Sequence, residues 1–132
     1  MKAVYPILLT HDEPGFVVYV PDFNINTEGN NLTEAIEMAR DAISTAGLVM
    51  EDENQMLPEP SDINAVKKEL ESDIVTLVDV DFDEYRRKTD MRSVRRNVTL
   101  PSWLNFEAEK SGINVSAVLQ KALKKELHIT NR

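Results

Sequence analysis

The chain has 132 residues, of which 42% are hydrophobic, and a formal net charge of −8. It contains no cysteine, which excludes disulfide bonds, thiolate metal sites and cysteine nucleophiles. No apolar run approaches the roughly 20 residues that span a membrane, and the first residues lack the pattern of a signal peptide. We therefore expect a cytoplasmic protein of one or two small domains, with no membrane association.

The charges are divided unevenly along the chain. Residues 1–84 contain 4 basic and 19 acidic residues, a net charge of −15, whereas residues 85–132 contain 11 basic and 4 acidic residues, a net charge of +7. An acidic body with a basic tail predicts two partners of opposite charge, and nucleic acid suits the tail. Chance segregation of surface charges is the alternative, although the sign changes where the predicted elements also change.

Three strands with short turns are predicted at the start of the chain. Residues 2–10 alternate between apolar and other side chains, and residues 16–20 are nearly all apolar, as in a central strand. Pro14 and Gly15 form a turn between them. Residues 23–28 provide a third strand, so that the three form an antiparallel meander.

A helix and a fourth strand are predicted next. Asn31 has the chemistry of an N-cap and precedes an apolar stripe at helical spacing over residues 32–47. Residues 51–64 read as a loop and residues 65–70 as a helical turn or two. Alternation over residues 73–82 predicts the fourth strand. The first domain, residues 1–84, is thus predicted to be α+β, in the order β-β-β-α-β, with the helix covering the sheet.

The remaining residues form a linker and a tail. Residues 85–93 are charged and lack apolar periodicity, which predicts a linker or a short tether helix. Within the tail, residues 94–132, a short strand precedes two helices: Ser102 starts the first, Gly112 ends it, and Asn114 caps the second. One strand and two short helices cannot bury a core alone. We therefore predict a β-α-α unit that dimerises by pairing its strands antiparallel.

The two faces of the tail strand differ in chemistry. Val98 and Leu100 point toward the helices, whereas Arg95, Asn97 and Thr99 point outward. Arginine, asparagine and threonine suit the base edges of a major groove, which admits a two-stranded ribbon. An amphipathic strand with an ordinary solvated polar face is the alternative. We predict that the ribbon binds DNA.

The tail resembles the ribbon-helix-helix repressors over roughly residues 94–127. The resemblance lies in the alternating strand that ends in Leu100-Pro101 and in the later Gly112-x-Asn114-x-Ser116. It implies that Arg95, Asn97 and Thr99 contact bases. Arg96 departs from the pattern, which usually has an apolar residue there, and is expected to contact a phosphate. The start of the second helix, at Asn114, Val115 and Ser116, offers free N–H groups to another phosphate.

Five segments of the first domain together match one known family: Tyr5-Pro6, Gly15 to Phe23, Thr27-Glu28-Gly29, the helix from Leu32 to Ala42, and Leu57-Pro58-x-Pro60-Ser61. In these segments the first domain resembles the HicB antitoxins. The resemblance implies a partial RNase H-like fold without the nuclease's catalytic carboxylates. It also implies a partner, a small basic HicA toxin that cleaves mRNA, and repression of the antitoxin's own operon.

The acidic domain is predicted to bind the toxin. Asp12, Glu13 and Asp22 lie on predicted turns, where they would attract a basic protein, and Phe23 would anchor in a pocket. Residues 23–26 differ from the Leu-Pro-Gly-Cys-like turn of many HicB members. The expected assembly is a homodimer through the tail, or a tetramer or larger species built from it.

The sequence argues against an enzyme. Asp79, Asp81 and Asp83 alternate along one strand, a pattern that is typically solubilising rather than metal-ligating. His11 and His128 have no catalytic spacing around them. We expect no metal and no cofactor, and place Trp103 in the dimer core. Two alternatives remain: a solitary ribbon-helix-helix regulator with an acidic sensing domain, and a metal-dependent nuclease.

Overall fold

The computed structural model describes residues 1–130 and divides the chain into two compact units, Met1–Met91 and Arg92–Arg132. The boundary between the units lies inside residues 85–93, the segment predicted to be a linker. The final two residues of the predicted tail domain lie outside the described residues.

The first unit contains a four-stranded antiparallel sheet. Its strands are β1 (Lys2–Asp12), β2 (Gly15–Val20), β3 (Ile25–Gly29) and β4 (Ile74–Asp81), in the spatial order β3-β2-β1-β4. The first three strands form the predicted meander, with β2 inside the sheet. β4 returns to pair with β1 in a register that runs from Lys2↔Asp81 to Leu9↔Ile74. The predicted α+β class and element order are confirmed.

The helix α1 (Leu32–Asp52) covers one face of this sheet. The Asn31 side chain accepts a hydrogen bond from the Glu34 amide at 2.8 Å, which confirms the predicted cap. Ala35 and Ala39 are fully buried, and their small side chains allow the helix to approach the strands closely. The core consists of residues from both layers: Tyr5, Ile7, Leu9, Val18, Val20, Ala35, Ala39, Ile43, Val78, Val80 and Phe82.

The first helix is longer than predicted. Its predicted end is residue 47, but the helix continues to Asp52. Two acidic residues in the last turn are unfavourable there, because the C-terminal end of a helix carries partial negative charge. Arg86, from the following helix, offsets this by binding both Glu51 and Asp52. The end of α1 could not be predicted from the residues around position 50, because Arg86 lies about 35 residues further along the chain.

The helix α2 (Phe82–Thr89) starts directly after β4. The Asp81 carboxylate caps it by accepting a hydrogen bond from the Glu84 amide at 3.2 Å. This region was predicted to be a linker or a short tether helix: residues 85–89 are helical, and residues 90–93 are neither helix nor strand. Phe82 is fully buried, and its ring lies against Gly47 of α1, so the first turn of α2 belongs to the core.

The predicted helical turn over residues 65–70 is wrong. The structure has a single 3-10 turn, Ile63–Ala65, further toward the N-terminus. The amides of Glu69 and Leu70 donate instead to Asp73 Oδ2, at 3.1 and 3.0 Å. Asp73 has only 2% of its surface exposed, and its carboxylate closes a turn in front of β4. This side chain competes with a helix for the same backbone groups.

The second unit contains two helices, α3 (Ser102–Ser111) and α4 (Val115–Glu126). Gly112 has a left-handed φ of 67°, and the Asn114 side chain accepts a hydrogen bond from the Ala117 amide at 3.0 Å. Both predicted boundary residues are confirmed. The predicted strand at residues 94–100 is not formed, since a strand requires a hydrogen-bonded neighbour and the single chain supplies none.

Candidate functional site

The second unit leaves its apolar side chains exposed. Among its described residues, 92–130, none is buried. Trp103 and Phe106 are 68% and 60% exposed, and Val98 and Leu100 in the preceding segment are also exposed. Helices of 10 and 12 residues are marginal without tertiary packing. The apolar side chains of this unit are therefore available for contact with another surface.

The residues predicted to bind DNA lie in two places within this unit. Arg95, Arg96, Asn97 and Thr99 are exposed and lie in one continuous segment without helix or strand. Asn114, Val115 and Ser116 are together at the start of α4, and all three are exposed. The Asn114 side chain binds the Ala117 amide. The N–H groups of Val115 and Ser116 come before the first intrahelical donor, so they are geometrically available to an anion.

The structure separates the four residues predicted to bind the toxin. Asp12 and Glu13 are exposed in the β1–β2 hairpin, whereas Asp22 and Phe23 lie in the turn between β2 and β3. Strand β2 connects these turns and has six residues, so the turns lie about 20 Å apart at opposite ends of the sheet. The four residues do not form one site.

Asp22 and Phe23 contact their own domain. The Asp22 carboxylate accepts hydrogen bonds from the Ser61 amide, at 2.9 Å, and from the Ser61 hydroxyl. The Phe23 ring packs edge-to-face on the Tyr5 ring with centroids 4.9 Å apart. The Tyr5 hydroxyl donates to the Pro58 carbonyl at 2.9 Å. These contacts attach the segment between α1 and β4 to the sheet.

Burial and nearby charge act on the same cluster. Burial raises the pKa of Tyr5 above its ordinary value, and the negative charges of Asp22 and Glu59 raise it further. The phenol thus stays protonated and remains a hydrogen-bond donor to Pro58. Local sequence patterns do not predict this cluster, because its two halves are separated by about 40 to 50 residues. The Leu57-Pro58-x-Pro60-Ser61 segment contributes to the family resemblance but carries no local sign of its partners.

Polar contacts attach α2 to α1. The Tyr85 hydroxyl lies 2.8 Å from Asp41 Oδ1 and 2.9 Å from the Thr45 hydroxyl. Arg86 Nη2 lies 3.2 Å from Glu51 Oε2 and 3.0 Å from Asp52 Oδ1. Hydrogen bonds to Glu51 and Asp52 raise the pKa of Arg86. These groups are solvent-exposed, so the attachment depends on ionic strength.

The three alternating acids of the β4 region have separate partners. Asp79 binds Arg40, and the hydrogen bond from Arg40 lowers the pKa of the Asp79 carboxyl group. Asp81 caps α2. Asp83 binds the N-terminal amine, and this hydrogen bond lowers its pKa. Within residues 1–130, no group of three or more histidine or acidic side chains could hold a metal ion.

A cavity of about 300 Å³ lies on the sheet face opposite α1. Leu8, Tyr19 and Pro21 form its floor, and Val66 and Lys67 line its wall. The lining is mainly apolar.

No helix in the part of the chain that the structure describes has the length and apolar character needed to cross a membrane.

Comparisons with known proteins agree with this architecture. A family model described as the HicB-like antitoxin of bacterial toxin-antitoxin systems matches residues 5–122. A search of curated proteins finds no match. The chain is similar to a solved toxin-antitoxin complex from Streptococcus pneumoniae, with a TM-score of 0.59 and 24% identity over 96% of this chain and 99% of that chain.

Two further structures are similar. The antitoxin HicB of Burkholderia pseudomallei has a TM-score of 0.55 and 22% identity over 95% of this chain and 98% of that chain. The antitoxin HicB3 has a TM-score of 0.52 and 22% identity over 94% and 97%. At these identities the structures show a shared fold. The family match covers most of the chain and confirms the resemblance seen in the sequence: the protein belongs to the HicB-like antitoxin family of bacterial toxin-antitoxin systems.

Proposed function

We propose that this protein is a type II antitoxin that binds and blocks a HicA-type mRNA-cleaving toxin and represses its own operon, in the cytoplasm. The observation that carries the proposal is the family match, which extends through both units of the chain. In this proposal the first unit is a partial RNase H-like domain that has no enzymatic role. The second unit is a ribbon-helix-helix domain.

The second unit has the features required of a DNA-binding dimer. Residues 92–132 contain 8 basic and 3 acidic residues, a net charge of +5, which favours binding to phosphates. Pairing two copies of residues 94–100 would form the ribbon and bury the exposed Val98 and Leu100. Arg95, Asn97 and Thr99 then face the bases. Arg96 and the start of α4, at Asn114, Val115 and Ser116, contact phosphates.

The first unit has the charge required to attract a basic toxin. Residues 1–91 contain 7 basic and 20 acidic residues, a net charge of −13, and such a field speeds the encounter with a positively charged protein. Asp12 and Glu13 have exposed side chains that can contact the toxin directly. The contribution of Asp22 and Phe23 is to shape the surface through Ser61 and Tyr5, because their side chains contact these residues.

Co-purification tests the antitoxin role. The tagged full chain is co-expressed with the product of the adjacent small open reading frame, and growth of the host is followed. A stable complex that restores growth supports the proposal and gives the stoichiometry of the complex. Operator binding without any complex would instead favour a solitary ribbon-helix-helix regulator.

The base-reading role of the ribbon can be tested at Asn97. Asn97→Ala removes an amide that can bind adenine bidentately, and should weaken operator binding by about 1–3 kcal/mol. Binding to random DNA and the dimer mass should be unchanged. Asn105→Ala, on α3, is the matched control, since the Asn105 side chain binds Glu109 of its own helix. Fluorescence anisotropy with both DNAs measures the effect, and equal weakening on random DNA would exclude base reading.

A further inference from the structure

The outer edge of the sheet, along β4, presents backbone groups that point away from β1. The Phe82 amide donates to the Met1 carbonyl at 3.1 Å, which fixes the pattern of the β1–β4 ladder. In an antiparallel ladder only every second residue bonds to the neighbouring strand. Even-numbered residues of β4 therefore bond to β1, and Val75, Leu77 and Asp79 point their N–H and C=O groups away from it.

A side chain of α1 covers the Asp79 end of this edge. Arg40, from α1, donates through Nε to the Asp79 carbonyl at 2.9 Å and through Nη2 to Asp79 Oδ1 at 3.0 Å. Because Arg40 reaches the Asp79 carbonyl from outside the sheet, this contact confirms that the backbone N–H and C=O groups of the odd-numbered β4 residues point away from β1. Among the described residues, no hydrogen bond reaches the outward N–H and C=O groups of Val75 and Leu77. Each of these two residues offers one donor and one acceptor.

The chemistry of β4 differs from that of the opposite edge. β4 has eight residues and is rich in valine, and the Leu77 side chain is 49% exposed. Proteins usually protect an edge with lysine, proline, a bulge or a short strand, and the sequence from 74 to 78 has neither lysine nor proline. The opposite edge strand, β3, has five residues and presents the polar Asn26 and Glu28 outward.

We propose that residues 74–78 of β4, here called the β4 edge, are the docking site for an extended segment of the toxin, which adds to the sheet as a fifth strand. The inference rests on the proposed function and names the surface that the toxin uses. Backbone hydrogen bonds to Val75 and Leu77 hold the added strand, and the exposed Leu77 side chain packs against it. Arg40 ends the pairing at Asp79.

The net charge of the first unit favours a basic protein over a second copy of this chain at the β4 edge. Two first units, each with a net charge of −13, repel one another when placed side by side. The carboxylates of Asp79 and Asp81 are already bound, by Arg40 and by the Glu84 amide, so the net charge of the whole unit is what attracts a basic partner. These features favour a basic partner over a second copy of this chain.

Two matched proline substitutions, one on each edge of the sheet, test the proposal. Leu77→Pro removes one outward N–H while leaving the β1 ladder intact, because proline is tolerated at edge positions that face solvent. Asn26→Pro makes the same change on the β3 edge. Binding of the full chain to the toxin encoded beside it is measured by isothermal titration. We expect Leu77→Pro to weaken the complex at least tenfold and Asn26→Pro to leave it unchanged; equal effects of the two variants would overturn the proposal.

Hydrogen exchange of the wild-type protein gives a readout that does not depend on how well a variant folds. In the complex, the amides of Val75 and Leu77 should exchange at least tenfold more slowly than in the free chain, whereas those of Asn26 and Glu28 should not change. A complex without this protection overturns the edge proposal alone. Protection already present in the free chain identifies a second copy as occupant and also overturns it. If no wild-type complex forms, the proposed function fails, and the edge proposal fails with it.

Discussion

At the scale of single residues, Gly47 sets the distance between α1 and the start of α2. A Cβ atom placed on Gly47 would lie 2.7 Å from Cδ1 of Phe82, closer than carbon atoms approach in proteins. The Phe82 ring is fully buried, so it can give way only by displacing neighbouring core side chains. The absence of a side chain at position 47 is therefore a packing requirement.

Gly47→Ala should destabilise the first unit by about 1–3 kcal/mol, as expected for overpacking of a core. Urea denaturation followed by circular dichroism measures the change. A Phe82→Leu background provides the control, since a smaller side chain leaves room for the added methyl group and should reduce the cost of Gly47→Ala. An equal cost in both backgrounds would show that the clash with Phe82 is not the cause.

Residues that act on their immediate neighbours were predictable from the sequence. Asn31 and Asn114 were placed correctly at helix starts, because each side chain accepts from an amide three residues on. Gly112 was placed correctly at a helix end, because glycine readily adopts the left-handed φ found there. Asp22 and Phe23 were predicted to face a toxin, although their side chains contact Ser61 and Tyr5. Contacts of this kind join segments that are distant in the sequence, so the residues around Asp22 and Phe23 do not predict them.

At the scale of elements, α2 is the most polar helix of the first unit and is held mainly by exposed groups. Beyond Phe82, its contacts to α1 are the Tyr85 hydroxyl and the Arg86 guanidinium. Arg86 also supplies the positive charge that the last turn of α1 lacks. The distal half of α2 is thus attached by interactions that salt weakens.

Arg86→Ala should loosen the end of α2, and its amides should exchange about two- to fivefold faster, as expected for loss of an exposed ion pair. Native-state hydrogen exchange at low salt measures this rate. Arg87→Ala is the matched control, because Arg87 contacts Asp83 of its own helix and no residue of α1. The difference between the two variants should disappear in 1 M salt; a difference that persists there would point to packing instead of charge.

The type of each element was predictable where the spacing of its apolar residues distinguishes a helix from a strand. All four strands of the sheet and the three long helices, α1, α3 and α4, were predicted, since each buries or presents one face at a regular spacing. The helical turn at 65–70 was wrong because Asp73 takes its backbone amides. The tail strand was not formed because the single chain offers residues 94–100 no strand to pair with.

At the scale of the whole molecule, the two units have net charges of −13 and +5. Operator binding should fall about a thousandfold between 50 and 200 mM salt, because each phosphate contact releases a counterion. Anisotropy titrations across this range measure the slope. Arg96→Gln should reduce that slope by about two for a dimer, one contact from each chain, while Asn97→Ala should leave it unchanged. An unchanged slope for Arg96→Gln would place Arg96 away from the phosphates.

The pairing of β1 with β4 also determines when the first unit can fold. Residues 2–7 pair only with β4, so they must wait for the strand from 74 to 81, which lies most of the unit's length away in the sequence. Closing so long a loop slows folding, whereas the β1–β2–β3 hairpins form from local contacts. During synthesis on the ribosome, the meander therefore emerges early and the sheet is completed late. A nascent chain that ends before residue 74 lacks both β4 and α2, so the proposed β4 edge is absent until the first unit is almost completely synthesised.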